Sequence, residues 1–218
     1  MNKESKIYFK NREDAAAQLV EVLPIGQMKL EDWIVVGASY GGYLIAKVIA
    51  EKLNAQYKIM FTEKIVAPNN EECEVAIVTE SEEVVIHEEI VKSFDISLDF
   101  IFSRSKYVYD DLVLKKINKF RAGYKIQDLQ NKNILIVDEG LNTGLTMMAC
   151  IKTAINMGAK SVSVATPIIP DASIQIIESI ADDLYYAKKL EHFIAIDYYY
   201  ETLEEITFEQ IKNIKDKG

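Results

Sequence analysis

The sequence predicts an α/β fold in which a twisted, mainly parallel sheet is flanked by helices. Short apolar runs at residues 33–36, 134–137 and 162–165 have the length and composition of buried strands, and each precedes a helical pattern. Strands that alternate with helices form parallel sheets with right-handed crossovers, and such sheets bind ligands at the carboxyl ends of their strands. We therefore expect a site in the turns that follow the first two of these strands.

The amino-terminal half is predicted to form a helix, a strand–turn–helix unit and three further strands. Residues 13–23 carry apolar side chains at helical spacing, and Pro24 and Gly26 end this helix. The strand at 33–36 leads into a glycine-rich turn at 37–42, after which isoleucines four residues apart predict a second helix. Further strands are predicted at residues 57–61, 75–78 and 84–86, the last two as a hairpin.

The carboxy-terminal half follows the same alternation. A long charged helix is predicted at about residues 99–121, with its end marked by Ala122 and Gly123. The continuous apolar run at 134–137 is typical of a central parallel strand, and the helix after its turn ends at Gly158. The remaining elements are a strand at 162–165, a helix at about 171–181 and a strand at 184–186.

The composition predicts one globular domain over residues 1–218. The chain is 49% hydrophobic, and no Pro/Gly/Ser-rich linker divides it. It has 34 acidic and 25 basic residues and no clustered basic face, which disfavours nucleic-acid binding. Residues 1–6 do not have the pattern of a signal peptide, and the uncharged run at 33–46 is too short to span a bilayer. Cys73 and Cys150 lack metal-ligand spacing, so we expect reduced thiols, a cytoplasmic location and no membrane partner.

The stronger candidate site is the segment 134–147. Its strand ends in two adjacent carboxylates, Asp138 and Glu139, which can accept hydrogen bonds from the vicinal hydroxyls of a ribose. The next turn opens a helix, whose first backbone N–H groups lack intrahelical acceptors and suit a phosphate dianion. The residues predicted to hold this phosphate are Asn142, Thr143, Gly144, Leu145 and Thr146. These features predict a ribose 5-phosphate site; the plain alternative is a strand–helix turn capped by Asp138.

This segment resembles the signature of the type I phosphoribosyltransferases that binds 5-phosphoribosyl 1-pyrophosphate (PRPP). In that family a hydrophobic strand is followed by two acids, three variable residues, Thr, Gly or Ala, any residue, and Thr or Ser. The chain also resembles an uncharacterised bacterial stand-alone branch of the family, from residues 9–16 through 37–42 and 64–68 to about residue 199. The resemblance implies a core at about 30–190 and a small hood formed by the amino- and carboxy-terminal segments.

The resemblance also implies roles for particular residues. Asp138 and Glu139 would bind the 2- and 3-hydroxyls of the ribose, and the segment 62–72, which has turn and loop composition, would close over the reacting centre with Lys64. The turn residues implied to hold the pyrophosphate are Ala38, Ser39, Tyr40 and Gly41. Mg²⁺ is expected as a cofactor carried by the pyrophosphate rather than by protein ligands. The expected partners are PRPP and a nitrogen acceptor, and relatives often form homodimers.

Three positions depart from the family pattern. The branch usually has Arg where Tyr40 stands and Arg-Lys where Glu63 and Lys64 stand, and a lost preorganised charge typically costs about 10²–10³ in rate. Oxopurine transferases carry Asp at the position of Asn142, so hypoxanthine or guanine salvage is disfavoured. We therefore predict transfer of a phosphoribosyl group to an unidentified nitrogen acceptor, with weakened catalysis. The alternative is a non-catalytic sensor of PRPP or a nucleotide.

A rival motif occupies the first turn, where residues 37–41 also fit the G-x-S-x-G pattern of a hydrolase nucleophile elbow. That hypothesis uses Ser39 as the nucleophile, His192 as the base, and Asp138 or Asp182 as the acid. It is the minor alternative, because too few residues precede the turn for the usual strands and because the segment 138–146 would have no role. The run Tyr198, Tyr199 and Tyr200 could stack on a substrate ring or pack at an interface. Arg104 and Arg121 either serve the pocket or lie on a solvated helix face.

Overall fold

The computed structural model describes residues 7–215. Within this range the strands are β1 (Trp33–Gly37), β2 (Gln56–Ile59), β3 (Thr62–Ala67), β4 (Asn70–Thr79), β5 (Val84–Ile86), β6 (Asn133–Val137), β7 (Ser161–Pro170) and β8 (Asp183–Leu190). The α-helices are α1 (Arg12–Val22), α2 (Ile25–Met28), α3 (Tyr40–Leu53), α4 (Glu88–Ser93), α5 (Leu98–Val108), α6 (Leu114–Arg121), α7 (Leu145–Asn156), α8 (Asp171–Glu178) and α9 (Phe208–Lys215). None of the helices in the described range is long and apolar enough to cross a membrane.

The main sheet has five parallel strands in the order β2-β1-β6-β7-β8. Every residue of β6 is buried, as expected for a strand with a neighbour on each side and helices on both faces. Alternate residues of β6 face opposite layers: Ile134 and Ile136 pack with α7 and α8, whereas Leu135 and Val137 pack with α1 and α3. The predicted α/β fold with a mainly parallel sheet is confirmed.

A second, antiparallel sheet consists of β3, β4 and β5. Val78 pairs with Val84, which confirms the predicted hairpin between the two apolar runs. The loop prediction for residues 62–72 was wrong, because β3 and the start of β4 form a hairpin that turns at residues 68–69. Asn69 takes the left-handed conformation of that turn with φ 62°. The partner strand supplies the pairing that makes these residues extended, and no local pattern in the sequence shows it.

A helical layer covers the antiparallel sheet. The helix predicted at about 99–121 is present as α5, a π-helical turn at Tyr109–Val113, and α6. It ends where expected, with Ala122 in the left-handed conformation at φ 51°. The layer is anchored by Glu80, a fully buried residue whose carboxylate accepts hydrogen bonds from Arg121 Nη2 at 2.5 Å and from the backbone N–H of Ile126 at 2.6 Å. Arg121 therefore anchors the fold, whereas Arg104 is exposed and lies over Tyr107.

The two terminal segments pair with each other. Phe9 forms a parallel bridge with Tyr200, and the backbone N–H of Tyr8 donates to the carbonyl of Tyr199 at 2.9 Å. The ring of Phe9 lies 5.1 Å from that of Tyr200, and Tyr8 stacks on Tyr199 at 6.0 Å. Tyr198 packs edge-on against Tyr199 at 5.3 Å. Residues 198–200 therefore pack mainly against one another and against the amino-terminal segment of the same chain.

Candidate active site

Two strand–helix turns meet at the carboxyl edge of the parallel sheet. Gly37 at the end of β1 pairs with Val137 at the end of β6, so the two strands stop at the same level. The chain then enters α3 from the first strand and α7 from the second. A helix begins with backbone N–H groups that have no intrahelical acceptor and with a partial positive charge. Two such ends side by side suit a ligand that carries more than one phosphate group.

The glycines of the first turn let it approach the second turn closely. A Cβ atom on Gly37 would lie 2.4 Å from the backbone nitrogen of Tyr43, and one on Gly42 would lie 2.6 Å from the carbonyl oxygen of Val137. A Cβ atom on Gly41 would lie 1.9 Å from the carboxyl carbon of Glu139. Gly37 is glycine because α3 packs back onto the end of β1, and Gly41 and Gly42 are glycine because the start of α3 packs against the end of β6 and the two acids that follow it.

Asp138 is held at the junction of the two turns. Its Oδ1 accepts hydrogen bonds from the Ser39 hydroxyl at 2.5 Å and from the backbone N–H of Glu139 at 2.9 Å. Burial raises the pKa of Asp138 to about 7, against the opposing effect of the Ser39 hydrogen bond, and the charge of Glu139 adds to the rise. Asp138 is also one of the residues that line the cleft described below. Asp138 is thus an oriented hydrogen-bond acceptor whose charge changes near neutral pH.

The carboxylate of Glu139 has different partners from that of Asp138, although the two residues are adjacent in the chain. Its carboxylate forms an ion pair with Arg12 Nε, and its backbone carbonyl accepts a hydrogen bond from the Tyr200 hydroxyl at 2.7 Å. Arg12 also donates to the carbonyl of Glu204 at 2.7 Å. Burial raises the pKa of Glu139, and Arg12 opposes that rise. The two acids that the resemblance assigns to neighbouring ribose hydroxyls are therefore not equivalent here, because Arg12 already binds the second one.

The turn between β6 and α7 is open and rich in donors. Asn142 and Thr143 are exposed, and Gly144 has φ 78°. Within the part of the chain that the structure describes, the backbone N–H groups of Asn142, Thr143, Gly144 and Thr146 have no acceptor. The Leu145 N–H has only a long hydrogen bond of 3.3 Å, to the Thr143 hydroxyl. This is the donor set that a phosphate group needs at a helix N-terminus.

A cleft of about 470 Å³ joins this turn to the β3–β4 hairpin. One wall is Asp138 with the 140–147 turn, and the other includes Lys64, Glu72 and Glu74. The structure therefore brings Lys64 into the same cleft as Asp138 and the predicted phosphate-binding residues. Burial raises the pKa of Glu74, and the charges of Lys64 and His87 oppose the rise.

The first turn lies beside this cleft rather than in its lining. It is joined to the cleft by the hydrogen bond from Ser39 to Asp138. The backbone N–H groups of Ser39, Tyr40 and Gly41 have no acceptor among residues 7–215, whereas the N–H of Ala38 donates to the Val137 carbonyl at 2.9 Å. Of the four residues assigned to the pyrophosphate, three therefore present free donors.

Two residues near the site, Arg12 and Glu74, are not indicated by any pattern in the sequence. Arg12 was one basic residue in a predicted helix start, and its contact with Glu139 spans 127 residues of sequence. Glu74 lay among the charges of a segment without clear periodicity. No local signal could have placed either residue at the site, because strand pairing and terminal packing bring them there.

The serine-hydrolase alternative is not supported by the geometry. Ser39 has an extended backbone with φ −141° and ψ 176°, whereas a nucleophile elbow is strained. Its hydroxyl accepts from the Gly42 N–H at 2.9 Å and donates to Asp138, so it acts as a helix cap. His192 is exposed and makes no hydrogen bond to Ser39 in the described structure. Asp182 accepts a hydrogen bond from the Val162 N–H at 2.7 Å.

Comparison with known proteins decides the family. The family model described as a phosphoribosyl transferase domain matches residues 4–201. The chain belongs to the phosphoribosyl transferase family. This result confirms the resemblance carried by residues 134–147.

Named relatives agree with this assignment, and a solved structure has the same fold. The Mycobacterium tuberculosis (strain ATCC 25618 / H37Rv) protein named "Putative phosphoribosyl transferase Rv0571c" is 24% identical over 210 residues, which are 96% of this chain and 47% of that protein. MT0597 from strain CDC 1551 / Oshkosh matches equally well. The chain thus spans about half the length of these curated relatives. The crystal structure of TT1426 from Thermus thermophilus has a TM-score of 0.76 at 24% identity, and the match covers 94% of this chain and 96% of that one, which shows that the two chains share a fold.

The residues that line the cleft have donor types that suit a magnesium ion held partly by a phosphate ligand. Among residues 7–215 no group of three or more His, Cys, Asp or Glu side chains could hold a metal ion by itself. The cleft instead offers the hard carboxylate oxygens of Asp138 beside free backbone donors for phosphate. Mg²⁺ commonly binds through one or two carboxylates together with substrate phosphates and water. Asp138 is the residue that would face such an ion.

Proposed function

We propose that this member of the phosphoribosyl transferase family binds Mg²⁺–PRPP and transfers its phosphoribosyl group to a nitrogen acceptor, with release of pyrophosphate. One observation carries the proposal: Asp138 lies between two helix N-termini with free backbone donors, in a cleft that also contains Lys64. In PRPP a ribose lies between two phosphate-containing groups. The ribose hydroxyls match the Asp138 acceptor, and the phosphates match the backbone donors on either side of it. The free thiols of Cys73 and Cys150 fit the cytoplasmic location that we also propose.

Different residues of this chain would bind different parts of PRPP. The N–H groups of the 142–146 turn would hold the 5-phosphate, and the hydroxyl of Thr143 would add a donor. The Asp138 carboxylate would accept hydrogen bonds from the ribose hydroxyls, and the Ser39 hydroxyl would keep it oriented. The donors of the 39–41 turn would face the pyrophosphate. Binding at three points would fix C1 of the ribose relative to the acceptor.

The transfer itself is a displacement at C1. A new bond forms between the acceptor nitrogen and C1 while the bond from C1 to the pyrophosphate oxygen breaks, and pyrophosphate leaves with the bonding electrons. The proton lost by the acceptor nitrogen goes to solvent or to a base. Lys64 would stabilise the charge that develops on the leaving group, and bound Mg²⁺ would supply further positive charge there. The β3–β4 hairpin would limit the access of water to C1.

The direct test is calorimetric titration of Mg²⁺–PRPP into the wild-type protein and Asp138→Asn. At pH 8, where Asp138 is ionised, we expect the variant to lose about 1–3 kcal/mol of binding free energy, because a charge-assisted acceptor is removed. Asp128→Asn is a matched control, since Asp128 is 71% exposed and forms an ion pair with Lys58 alone among residues 7–215. No binding of PRPP, pyrophosphate or ribose 5-phosphate by the wild type would refute the proposal.

A second candidate function is a sensor that binds PRPP or a nucleotide without turnover. The ion pair between Arg12 and Glu139 favours it, because the carboxylate of Glu139 is not free to bind a ribose hydroxyl. Measurement of pyrophosphate release with a panel of nitrogen acceptors separates the two functions. An enzyme releases pyrophosphate with at least one acceptor and loses that release in Lys64→Ala. A sensor binds PRPP and releases none.

A further inference from the structure

The two positions at which positive charge is missing from the family pattern contact the same lysine. Tyr40 is the first residue of α3, and Glu63 lies at the start of β3. Lys116 of α6 forms an ion pair with the Glu63 carboxylate, and its Nζ atom lies 5.1 Å from the centre of the Tyr40 ring. A helix that lies 53 residues beyond Glu63 in the chain thus brings a cation to both positions.

Core packing holds Lys116 at this place. Its neighbours on α6 and the π-helical turn, Val113, Ile117 and Phe120, are buried in the core beneath the antiparallel sheet. The ring of Phe208 lies 6.3 Å from that of Tyr40 and 6.1 Å from that of Phe120, so it links the first turn to α6. The lysine therefore leaves an ordered surface and points toward the first turn.

Lys116 carries a charge there. Burial alone would lower the pKa of Lys116, but the hydrogen bond and charge of Glu63 outweigh burial, so its pKa is raised. Its side chain is 28% exposed and that of Glu63 is 19% exposed, so solvent screens the pair less than it screens a surface pair. The adjacent Lys115 is 61% exposed and pairs with Asp111 on its own helix.

We propose that Lys116 supplies the positive charge for the pyrophosphate group at the 39–41 turn, and that Glu63 forms an ion pair with Lys116 when no ligand is bound. The proposal rests on the proposed function, since it assigns a further residue to the same site. The backbone donors of Ser39, Tyr40 and Gly41 are free to bind an anion, and Tyr40 links that turn to the lysine. A lysine is a compact charge on a flexible stem, so it can exchange one anionic partner for another.

The rival explanation is an ion pair that only stabilises the fold. The two explanations predict different directions of change in ligand binding for the two variants. If the pair is only structural, Glu63→Gln and Lys116→Met both break it and change ligand binding in the same direction or not at all. If Lys116 serves the ligand, Lys116→Met weakens binding of pyrophosphate, whereas Glu63→Gln strengthens it because the competing carboxylate charge is gone.

The experiment is calorimetric titration at pH 7 with two probes, Mg²⁺–pyrophosphate and ribose 5-phosphate. For Lys116→Met we expect about tenfold weaker pyrophosphate binding and a change of less than about twofold for ribose 5-phosphate, since hydrogen bonds to charged groups have about this worth. For Glu63→Gln we expect about threefold tighter pyrophosphate binding. Lys115→Met is the control and should match the wild type with both probes.

The outcomes separate this inference from the proposed function. Equal losses for both probes, or pyrophosphate binding within about twofold of wild type in a folded Lys116→Met, would overturn the role of Lys116 and leave the proposed function standing. If Lys116→Met does not fold, Glu63→Gln decides by itself, and unchanged or weaker pyrophosphate binding overturns the inference. If the wild type binds neither probe, the inference about Lys116 fails, and the titration with Mg²⁺–PRPP decides the proposed function.

Discussion

The two turns at the edge of the parallel sheet have similar sequences of small residues but different structures. The turn between β6 and α7 is open, with exposed Asn142 and Thr143 and several free backbone donors. The turn between β1 and α3 is closely packed, because Ser39 caps its helix and a Cβ atom on Gly41 would collide with the Glu139 side chain. Small residues therefore leave the second turn exposed, whereas in the first turn they allow close packing beside N–H groups that have no acceptor among residues 7–215. Variants that act on one turn alone test this difference.

The largest effect is expected from Gly37→Ala. The new Cβ atom would lie 2.4 Å from the backbone nitrogen of Tyr43, which cannot move without shifting α3. We expect the free energy of unfolding to fall by about 3 kcal/mol, measured by urea denaturation. Gly26→Ala is the control, since nothing lies within 4 Å of its Cβ position. Equal stability of the two variants would show that the first turn is not closely packed.

The raised pKa of Asp138 makes stability depend on pH. The folded state holds the Asp138 proton up to about pH 7, whereas the unfolded chain releases it near its ordinary pKa of 3.8. The contribution of this group to stability should therefore fall as pH rises from about 4 to about 7 and then level off. Asp138→Asn removes this dependence.

We expect Asp138→Asn to be more stable than wild type by ~2 kcal/mol at pH 8, with a difference near zero at pH 4. Urea denaturation at the two pH values measures it. The same variant should bind PRPP less tightly, so stability and ligand binding would change in opposite directions. A difference that does not change with pH would contradict the raised pKa.

The contact between Arg12 and Glu139 can be tested by a double-mutant cycle. Arg12→Gln leaves the partly buried Glu139 carboxylate without its cation, so we expect a loss of about 1–2 kcal/mol in the free energy of unfolding. In the background of Glu139→Gln the same change should cost much less, because no charge is left unpaired. Equal costs in both backgrounds would show that the two side chains do not interact.

The smallest effect concerns the open turn. Thr143→Val removes an exposed hydroxyl, and we expect binding of ribose 5-phosphate to weaken by about 1 kcal/mol while the melting temperature stays unchanged. Calorimetric titration and a thermal melt measure these two quantities. A lower melting temperature with unchanged binding would assign Thr143 to the fold instead of the ligand.

Local sequence patterns were sufficient for the parallel sheet and for the second turn. The apolar run of β6, the two acids after it and the start of α7 lie within fourteen consecutive residues, 134–147, so chain connectivity alone places them together. The hairpin of β4 and β5 and the helix end at Ala122 could be predicted for the same reason. These features depend on side-chain periodicity and on turn residues, which act over a few positions.

The tertiary structure alone decided which charges meet at the site. Arg12 reaches Glu139 across 127 residues, Lys116 reaches Glu63 across 53, and the hairpin carries Lys64 and Glu74 to the cleft through strand pairing. The sequence indicated that Tyr40 and Glu63 depart from the family pattern, but it could not show that a single lysine contacts both. Periodicity indicates on which face of a helix or strand a side chain lies. Which residue that side chain contacts depends on how elements distant in the sequence pack together. The sequence by itself therefore determined most of the parallel sheet and the turn that we propose to bind phosphate, and the packing determined the β3–β4 hairpin and the electrostatics of the site.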